Sequence, residues 1–451
     1  MSARTWWRLG AVATSLVASA QFVGCRFPHG TAERDGGPDV PIDALCMGSS
    51  LECVGDKLRT CTMAGSEAVD LDCGWGCVPS PDPHCGVIVP AGGSGDPTRG
   101  VTGTDLDPTM LGDVTLPDGI TIDGDDGQIG TEVMPELFHD NSEGIDKGID
   151  FEFRGPISIF RFKSLTINGT ITLVGRRPIA LVVSGPVTIN GVVDARGICP
   201  LVLGGPGGFM GGSAARQKGF GPTTTLGGGS GAPAASSGGG GGGHGGNGGN
   251  GDAAAGGTPF GDPEITILVG GAGGGAGDGG GGFGRGGGGG GALQIVSNDS
   301  ITITSGGINA GGCGGDFGGG NSDSGGGGGA GGAILLEAPK VTVVGTLAAN
   351  GGGGGGGGGG NSVIGTNGTL TALPAAGGSG DGTDEQGGAG AATGVAPGVG
   401  GAGGNPGGGG GGLGRIRINT RGGSGAELTQ SMLSPGPPDG MLFSSGSAKA
   451  Q

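Results

Sequence analysis

The sequence predicts an all-β fold: a parallel β-helix/solenoid with polyglycine insertions, preceded by a small disulfide-rich module. Three observations predict it. A short strand motif recurs with a fixed pattern of residues after it. Glycine, at 127 of 451 residues, lies mainly between those strands and runs at about four times its usual share of roughly 7%. Six cysteines crowd into the forty residues from Cys46 to Cys85.

The strand motif is apolar-Thr-apolar. It occurs at Leu165-Thr166-Ile167, Val187-Thr188-Ile189, Ile265-Thr266-Ile267, Ile301-Thr302-Ile303 and Val341-Thr342-Val343. Ile189 is followed at two-residue steps by Gly191, Val193, Ala195 and Gly197. Val343 is followed at the same offsets by Gly345, Leu347, Ala349 and Gly351, and Ile167 by Gly169, Ile171 and Leu173. After Ile303 one extra residue, at Gly306-Gly307, is what a bulge would insert. Alternation at period two makes each a strand with one buried face. Thr between branched apolar residues suits a pleated surface. Fixed offsets between strand, Gly turn and next strand are the mark of stacked repeats. Further strands are expected at 179–183, 292–296, 334–336 and 415–418; in the last, Arg415 and Arg417 alternate with Leu413, Ile416 and Ile418 as outward residues of a terminal strand would.

The glycine tracts leave and re-enter this pattern at corresponding points. They read as insertions on one side of the stack, the longest unbroken run being Gly351 to Gly360. Two fates are open to them. They stay flexible, as low-complexity linkers do, or they pack side by side as extended left-handed helices. Such helices make no internal hydrogen bonds, so neighbours must supply the partners.

The cysteine spacing is C-x6-C-x7-C-x11-C-x3-C-x7-C, over Cys46, Cys53, Cys61, Cys73, Cys77 and Cys85. Forty residues bury too little surface to fold without cross-links, so three disulfides are expected. Fifteen connectivities are open. Cys53 to Cys61 reads as a short hairpin. Zinc is not expected, because no C-x2-C pair occurs. No other metal and no cofactor is expected either. Cys199 and Cys313 stand alone, and their pairing is open.

The N-terminus carries Arg4 and Arg8 and then a mildly apolar run from Leu9 to Gly24, short for a membrane span. Ala18-Ser19-Ala20 would permit cleavage before Gln21. Phe22-Val23-Gly24-Cys25 resembles the lipobox of bacterial lipoproteins, which implies lipid attachment at Cys25. Nine cysteines are odd in number, and lipidation of one leaves an even set. The expected organisation is a signal peptide (1–24), lipid anchor and tether (25–45), disulfide-rich module (46–86), acidic connecting region with the first strands (87–155), Gly-rich β-helix with insertions (156–423) and a C-terminal tail (424–451). The module resembles small Cys-rich units that precede other domains in exported bacterial proteins.

A net charge of −17 argues against nucleic-acid binding, which needs clustered Lys and Arg. No G-x-S-x-G, H-E-x-x-H or phosphate-binding loop sequence occurs. The order Asp125-Asp126, Gly243-His244-Gly245, Arg415-Ile416-Arg417 resembles the polygalacturonase-type hydrolases, which need two carboxylates across a cleft. That family's Asn-Thr-Asp segment is missing here, and His244 lies in a polyglycine run. The acidic stretch 105–152 offers carboxylates for weak Ca²⁺ binding. An ice-binding face would need a flat ranked array of Thr, whereas here each Thr sits singly between core residues. Residues 201–415 loosely resemble the PE-PGRS polyglycine proteins, without their helical N-terminal region or regular Gly-Gly-x period. The expectation is a non-enzymatic exported lipoprotein of the bacterial outer membrane or cell surface. Its role would be structural, adhesive or interactive, with the membrane and envelope components such as surface glycans as partners. A carbohydrate-active β-helix enzyme or an ice- or glycan-binding module are the alternatives. None of these readings names a catalytic residue.

Overall fold

The computed structural model describes residues 46–91, 100–131, 137–320, 322–382 and 385–451. The expected signal peptide, Cys25 and the tether lie outside the described residues. The regular secondary structure of the described chain is almost all sheet, with a few short 3-10 turns. No described helix is long and apolar enough to cross a membrane.

Three sheets of eight, six and seven strands share one core. The chain visits them in rotation. Ile157–Phe162, Ile179–Val183, Ala292–Ser297, Ala333–Glu337 and Arg415–Thr420 pair in parallel in the eight-stranded sheet. Ser164–Ile167, Val187–Ile189, Ser300–Ile303 and Lys340–Val343 do so in the six-stranded sheet. Thr170–Val174, Val192–Asp194, Gly307–Asn309 and Thr346–Ala348 do so in the seven-stranded one. Leu165, Val187, Ile301 and Val341 from the second sheet meet Leu181, Ile295 and Ile334 from the first and Ile171, Val193, Ile308 and Leu347 from the third.

The expected parallel β-helix or solenoid is not what this is. The sheets are large parallel and mixed sheets of the kind met in α/β chains, not a clear β-helix. Antiparallel strands Gly144–Asp146 and Ile149–Arg154 close the eight-stranded sheet, and Ile129–Gly130 closes the seven-stranded one. The lengths between corresponding strands are too unequal for a uniform repeat. The expectation of one buried face also fails for the eight-stranded sheet. Its strands Ile157–Phe162, Ile179–Val183, Ala292–Ser297 and Ala333–Glu337 are buried throughout. Parallel sheets are normally covered on both faces, and their strands then read as continuous apolar runs. Here Trp75, Ile88, Val101, Leu106, Ile265 and Leu268 cover the outer face, over Ile159, Val182, Val296 and Leu335.

Two further segments differ from expectation. Ile265-Thr266-Ile267 is not a strand; Ile265 has φ of 51° and plugs the outer face of the eight-stranded sheet. The expected tail carries strands Ala426–Glu427, Met432–Ser434 and Phe443–Ser447, which extend all three sheets. The extra residue at Gly306 does form a bulge: Gly306 takes φ of 63° and Gly307 realigns with Val192.

The glycine tracts are ordered and buried. Their necks are closed by Gly291 N–H to Ala195 O, Gly332 N–H to Ala310 O and Gly414 N–H to Ala349 O. Inside, successive amides point to different neighbours. Gly239 donates to Gly325, Gly240 to Ser230 and Gly241 to Gly249; Gly242 then returns to Gly328 and Gly243 to Gly227, all at 2.8–2.9 Å. A three-residue period is that of the polyproline II helix, which has three residues per turn and no internal hydrogen bonds. Each tract is thus tied to several others, and the glycine segments form a packed lattice in place of loops. Only glycine allows the spacing. A Cβ at Gly241 would lie 2.0 Å from Gly410 O, and one at Gly351 2.0 Å from Gly411 O.

The disulfide-rich module forms the expected hairpin, Ser50–Val54 against Lys57–Cys61, with Gly55 at φ of 62° in the turn. Its bonds are Cys46–Cys61, Cys53–Cys77 and Cys73–Cys85. Cys199 pairs with Cys313 and ties two glycine tracts together.

Candidate interaction face

The outer face of the six-stranded sheet is where stacking turns single residues into a surface. In each apolar-Thr-apolar triplet that forms a strand the apolar pair points inward, and the pleat turns the Thr outward. Register then aligns the Thr. Thr115 pairs with Thr166, Thr166 with Thr188, Thr188 with Thr302 and Thr302 with Thr342. Strands lie about 4.8 Å apart, so five Thr in four steps form a rank about 19 Å long.

The rank is edged by two others. On one side Asn190 Nδ2 donates to Asn168 Oδ1 at 3.0 Å, and Thr304 Oγ1 donates to Asn190 Oδ1 at 2.6 Å. On the other, Ser164 Oγ donates to Asp113 at 2.7 Å, and Lys163 reaches the same carboxylate at 3.0 Å. The Ser164 hydroxyl, then Lys163, holds Asp113 below the usual carboxylate range. At the far end Thr342 Oγ1 donates to Glu427 at 3.0 Å and Lys340 pairs with it at 2.9 Å. Lys340, then Thr342, lowers Glu427. The flanks are therefore internally paired. Between them, the hydroxyls of Thr115, Thr166, Thr188 and Thr302 make no hydrogen bond to the protein among the described residues, and each is at least partly exposed. They can each donate one hydrogen bond and accept two. The two carboxylates at the ends of the face, Asp113 and Glu427, are each engaged by a hydroxyl and a lysine. The chemistry of the face is repeated hydrogen bonding to a partner of matching spacing.

The expectation that the Thr sit singly holds within each strand, and pairing between strands overrides it. Thr166, Thr188, Thr302 and Thr342 were visible as triplets. Thr115, in Val114-Thr115-Leu116, carries the same signal at the start of the weakly alternating stretch Val114 to Ile122, ahead of the five triplets. Asn168, Asn190 and Thr304, two residues beyond each Thr, follow from the same alternation.

The residues of the hydrolase-like pattern are not brought together. Asp125 accepts from Arg176 Nε at 3.1 Å, and Asp126 accepts from the Gln128 amide. Arg415 lies four to five strands along the sheets, roughly 20 Å away at the strand spacing. His244 and Arg415 do meet, beneath Phe260. His244 is 1% exposed, its Nδ1 lies 2.9 Å from Gly331 O, and its ring stacks on Phe260 at 4.8 Å. Arg415 was expected to point outward. It is 8% exposed instead and donates to Phe260 O at 3.2 Å. Both are packing residues of the glycine lattice. In the acidic stretch, Asp105 is buried between Arg154 and Arg161, at 2.6 and 2.8 Å. Burial alone would raise its carboxyl, and the two guanidiniums bring it below the usual range instead. Among the described residues no group of three or more His, Cys, Asp or Glu is arranged to hold a metal ion.

Compared with known proteins, the chain matches no family model, no curated protein and no solved structure.

Proposed function

We propose that the protein is a non-enzymatic, exported and lipid-anchored surface protein, and that the Thr-ranked face is its binding surface for a repetitive, hydroxyl-rich partner such as an envelope glycan. The observation that carries the reading is the row of four Thr hydroxyls, in register and without protein partners, on a face whose charges are already paired among themselves. Such a face gains little from a point charge and most from a ligand that repeats. The rest of the molecule supports an exported setting. The eight cysteines from Cys46 to Cys313 pair with one another, as persists in oxidising compartments. That leaves Cys25 as the ninth, the residue of the lipobox-like Phe22-Val23-Gly24-Cys25.

Two measurements test the reading. Mass spectrometry of the mature N-terminus should find diacylglycerol on Cys25, and a chain beginning at Gln21 refutes the anchor. Co-sedimentation with insoluble polysaccharides should show saturable binding that Thr188→Lys with Thr302→Lys weakens by about tenfold, roughly 1.4 kcal/mol. Binding unchanged by the double variant refutes the face. A second reading, ice binding, is favoured by the same ranked array. Thermal hysteresis in the wild type, absent from the double variant, together with no retention on polysaccharide, would select it.

A further inference from the structure

A cavity of about 440 Å³ opens on the outer face of the eight-stranded sheet, where its apolar cover ends. It lies on a different sheet from the Thr-ranked face, and nothing in the proposed function uses it. Its floor is a buried polar network in an otherwise apolar surface. Glu337, 1% exposed, accepts from the Ala91 amide at 2.9 Å, Asn419 Nδ2 at 3.0 Å and Gln294 Nε2 at 2.6 Å. All three partners are donors, so the lone pairs facing the floor are occupied. Because Asn419 spends its amide on Glu337, its carbonyl turns to Arg417, whose Nε donates to it at 2.7 Å.

That contact fixes the guanidinium at one edge and leaves the other free. Among the described residues Arg417 has no carboxylate within 4 Å, and its two terminal nitrogens make no hydrogen bond. Glycine makes room for the guanidinium itself, since a Cβ at Gly446 would sit 2.0 Å from Nη2. Lys449 adds a second cation to the lining, and Val89, Pro90 and Ile267 give an apolar wall. Two carboxylates share the lining: Glu264 is exposed at the rim, and Glu337 lies in the floor with its oxygens taken by three donors. A half-buried, oriented guanidinium with a free pair of parallel donors is the geometry that takes a carboxylate two-pronged. The volume is within the range of small-molecule sites.

We propose that this cavity is a binding site for a small carboxylate with an apolar body, its carboxylate on the free edge of Arg417 and its body against Val89, Pro90 and Ile267. The site was invisible in sequence, where Arg417 read as an outward residue of a terminal strand. Glu337 acts here as a positioning residue: it holds Asn419, and Asn419 holds Arg417.

Calorimetric titration of the mature full chain with benzoate and hexanoate, against benzamide and hexylamine of matching shape, tests the proposal. Saturable binding of the carboxylates, with the amide and the amine weaker by at least tenfold, is the expected result. Arg417→Gln should weaken benzoate by tenfold or more, and Arg417→Lys by less. Equal binding of benzoate and benzamide, preference for the amine, or no saturable carboxylate binding up to about 10 mM overturns it. So does benzoate affinity unchanged in Arg417→Gln. If that variant fails to fold, the wild-type carboxylate-to-amide preference still decides.

Discussion

Within the unbroken run Gly351 to Gly360, two identical substitutions should have opposite effects. A Cβ at Gly354 would lie 2.0 Å from Gly408 O and 2.5 Å from its carbonyl carbon, both backbone. Carbon and oxygen in contact need about 3.3 Å, so the tracts would have to part by roughly 1.3 Å. They are joined by Gly408 N–H to Gly355 O at 2.9 Å and Gly411 N–H to Gly352 O at 2.8 Å. Parting stretches both beyond about 4 Å, past hydrogen-bond range. Two buried bonds left unmade cost about 1–3 kcal/mol each. Gly354→Ala should therefore destabilise by about 2–6 kcal/mol. At Gly360 a Cβ meets nothing within 4 Å and the residue is exposed. Gly360→Ala should be neutral, or stabilise by up to about 1 kcal/mol through the unfolded chain. Urea denaturation of the two variants beside wild type measures the difference, and amide exchange across 351–357 should show protection lost only in the first. Equal stabilities for the two variants would refute the lattice as a close-packed, hydrogen-bonded structure.

Two further outcomes follow from buried groups. Burial, then the nearby Arg415 charge, pushes the His244 imidazole down to about 4 from its ordinary 6.5. The folded state thus resists a proton that the unfolded chain accepts, so this contribution is complete above pH 6.5 and is lost as pH falls toward 4. The loss is about 3 kcal/mol over that window. His244→Gln should flatten that slope in denaturation curves taken between pH 4 and 7, and an unchanged slope refutes the assignment. The Cys199–Cys313 bond spans 114 residues, and closing a loop of that size is worth about 4–5 kcal/mol in the chain-entropy account. The double variant Cys199→Ser, Cys313→Ser should unfold at correspondingly lower urea, and a midpoint equal to wild type would show that the glycine lattice alone fixes the two tracts.

The strands were legible because their signal is local. Alternation at Leu165-Thr166-Ile167 or Val341-Thr342-Val343 needs only the pleat to predict a strand with an inward apolar pair. Sheet assembly was not legible. The apolar run Ile179 to Val183 reads the same whether one face or two are buried, and what buries the second face, Trp75, Ile88 and Ile265, lies far away in sequence. Ile265-Thr266-Ile267 shows the converse: a triplet with the right residues but no neighbouring strand to pair with becomes a plug. Glu337 was unreadable for the same reason, since its partners Ala91, Gln294 and Asn419 arrive from three separate segments. Polyglycine gave no positional signal, because its order comes from carbonyls and amides that every residue carries.

The three-residue rotation of amides along each glycine tract limits how such a chain can change length. Adding one or two glycines turns every later amide by a third or two-thirds of a turn, away from its acceptor. Adding three restores the facing and lengthens the tract by one complete turn. A gene for this protein should therefore tolerate expansion or contraction of its glycine runs in blocks of three codons and be purged of the intermediate lengths. Repetitive coding sequence, which slips readily during replication, would then be edited by backbone geometry alone, with no side chain taking part in the selection.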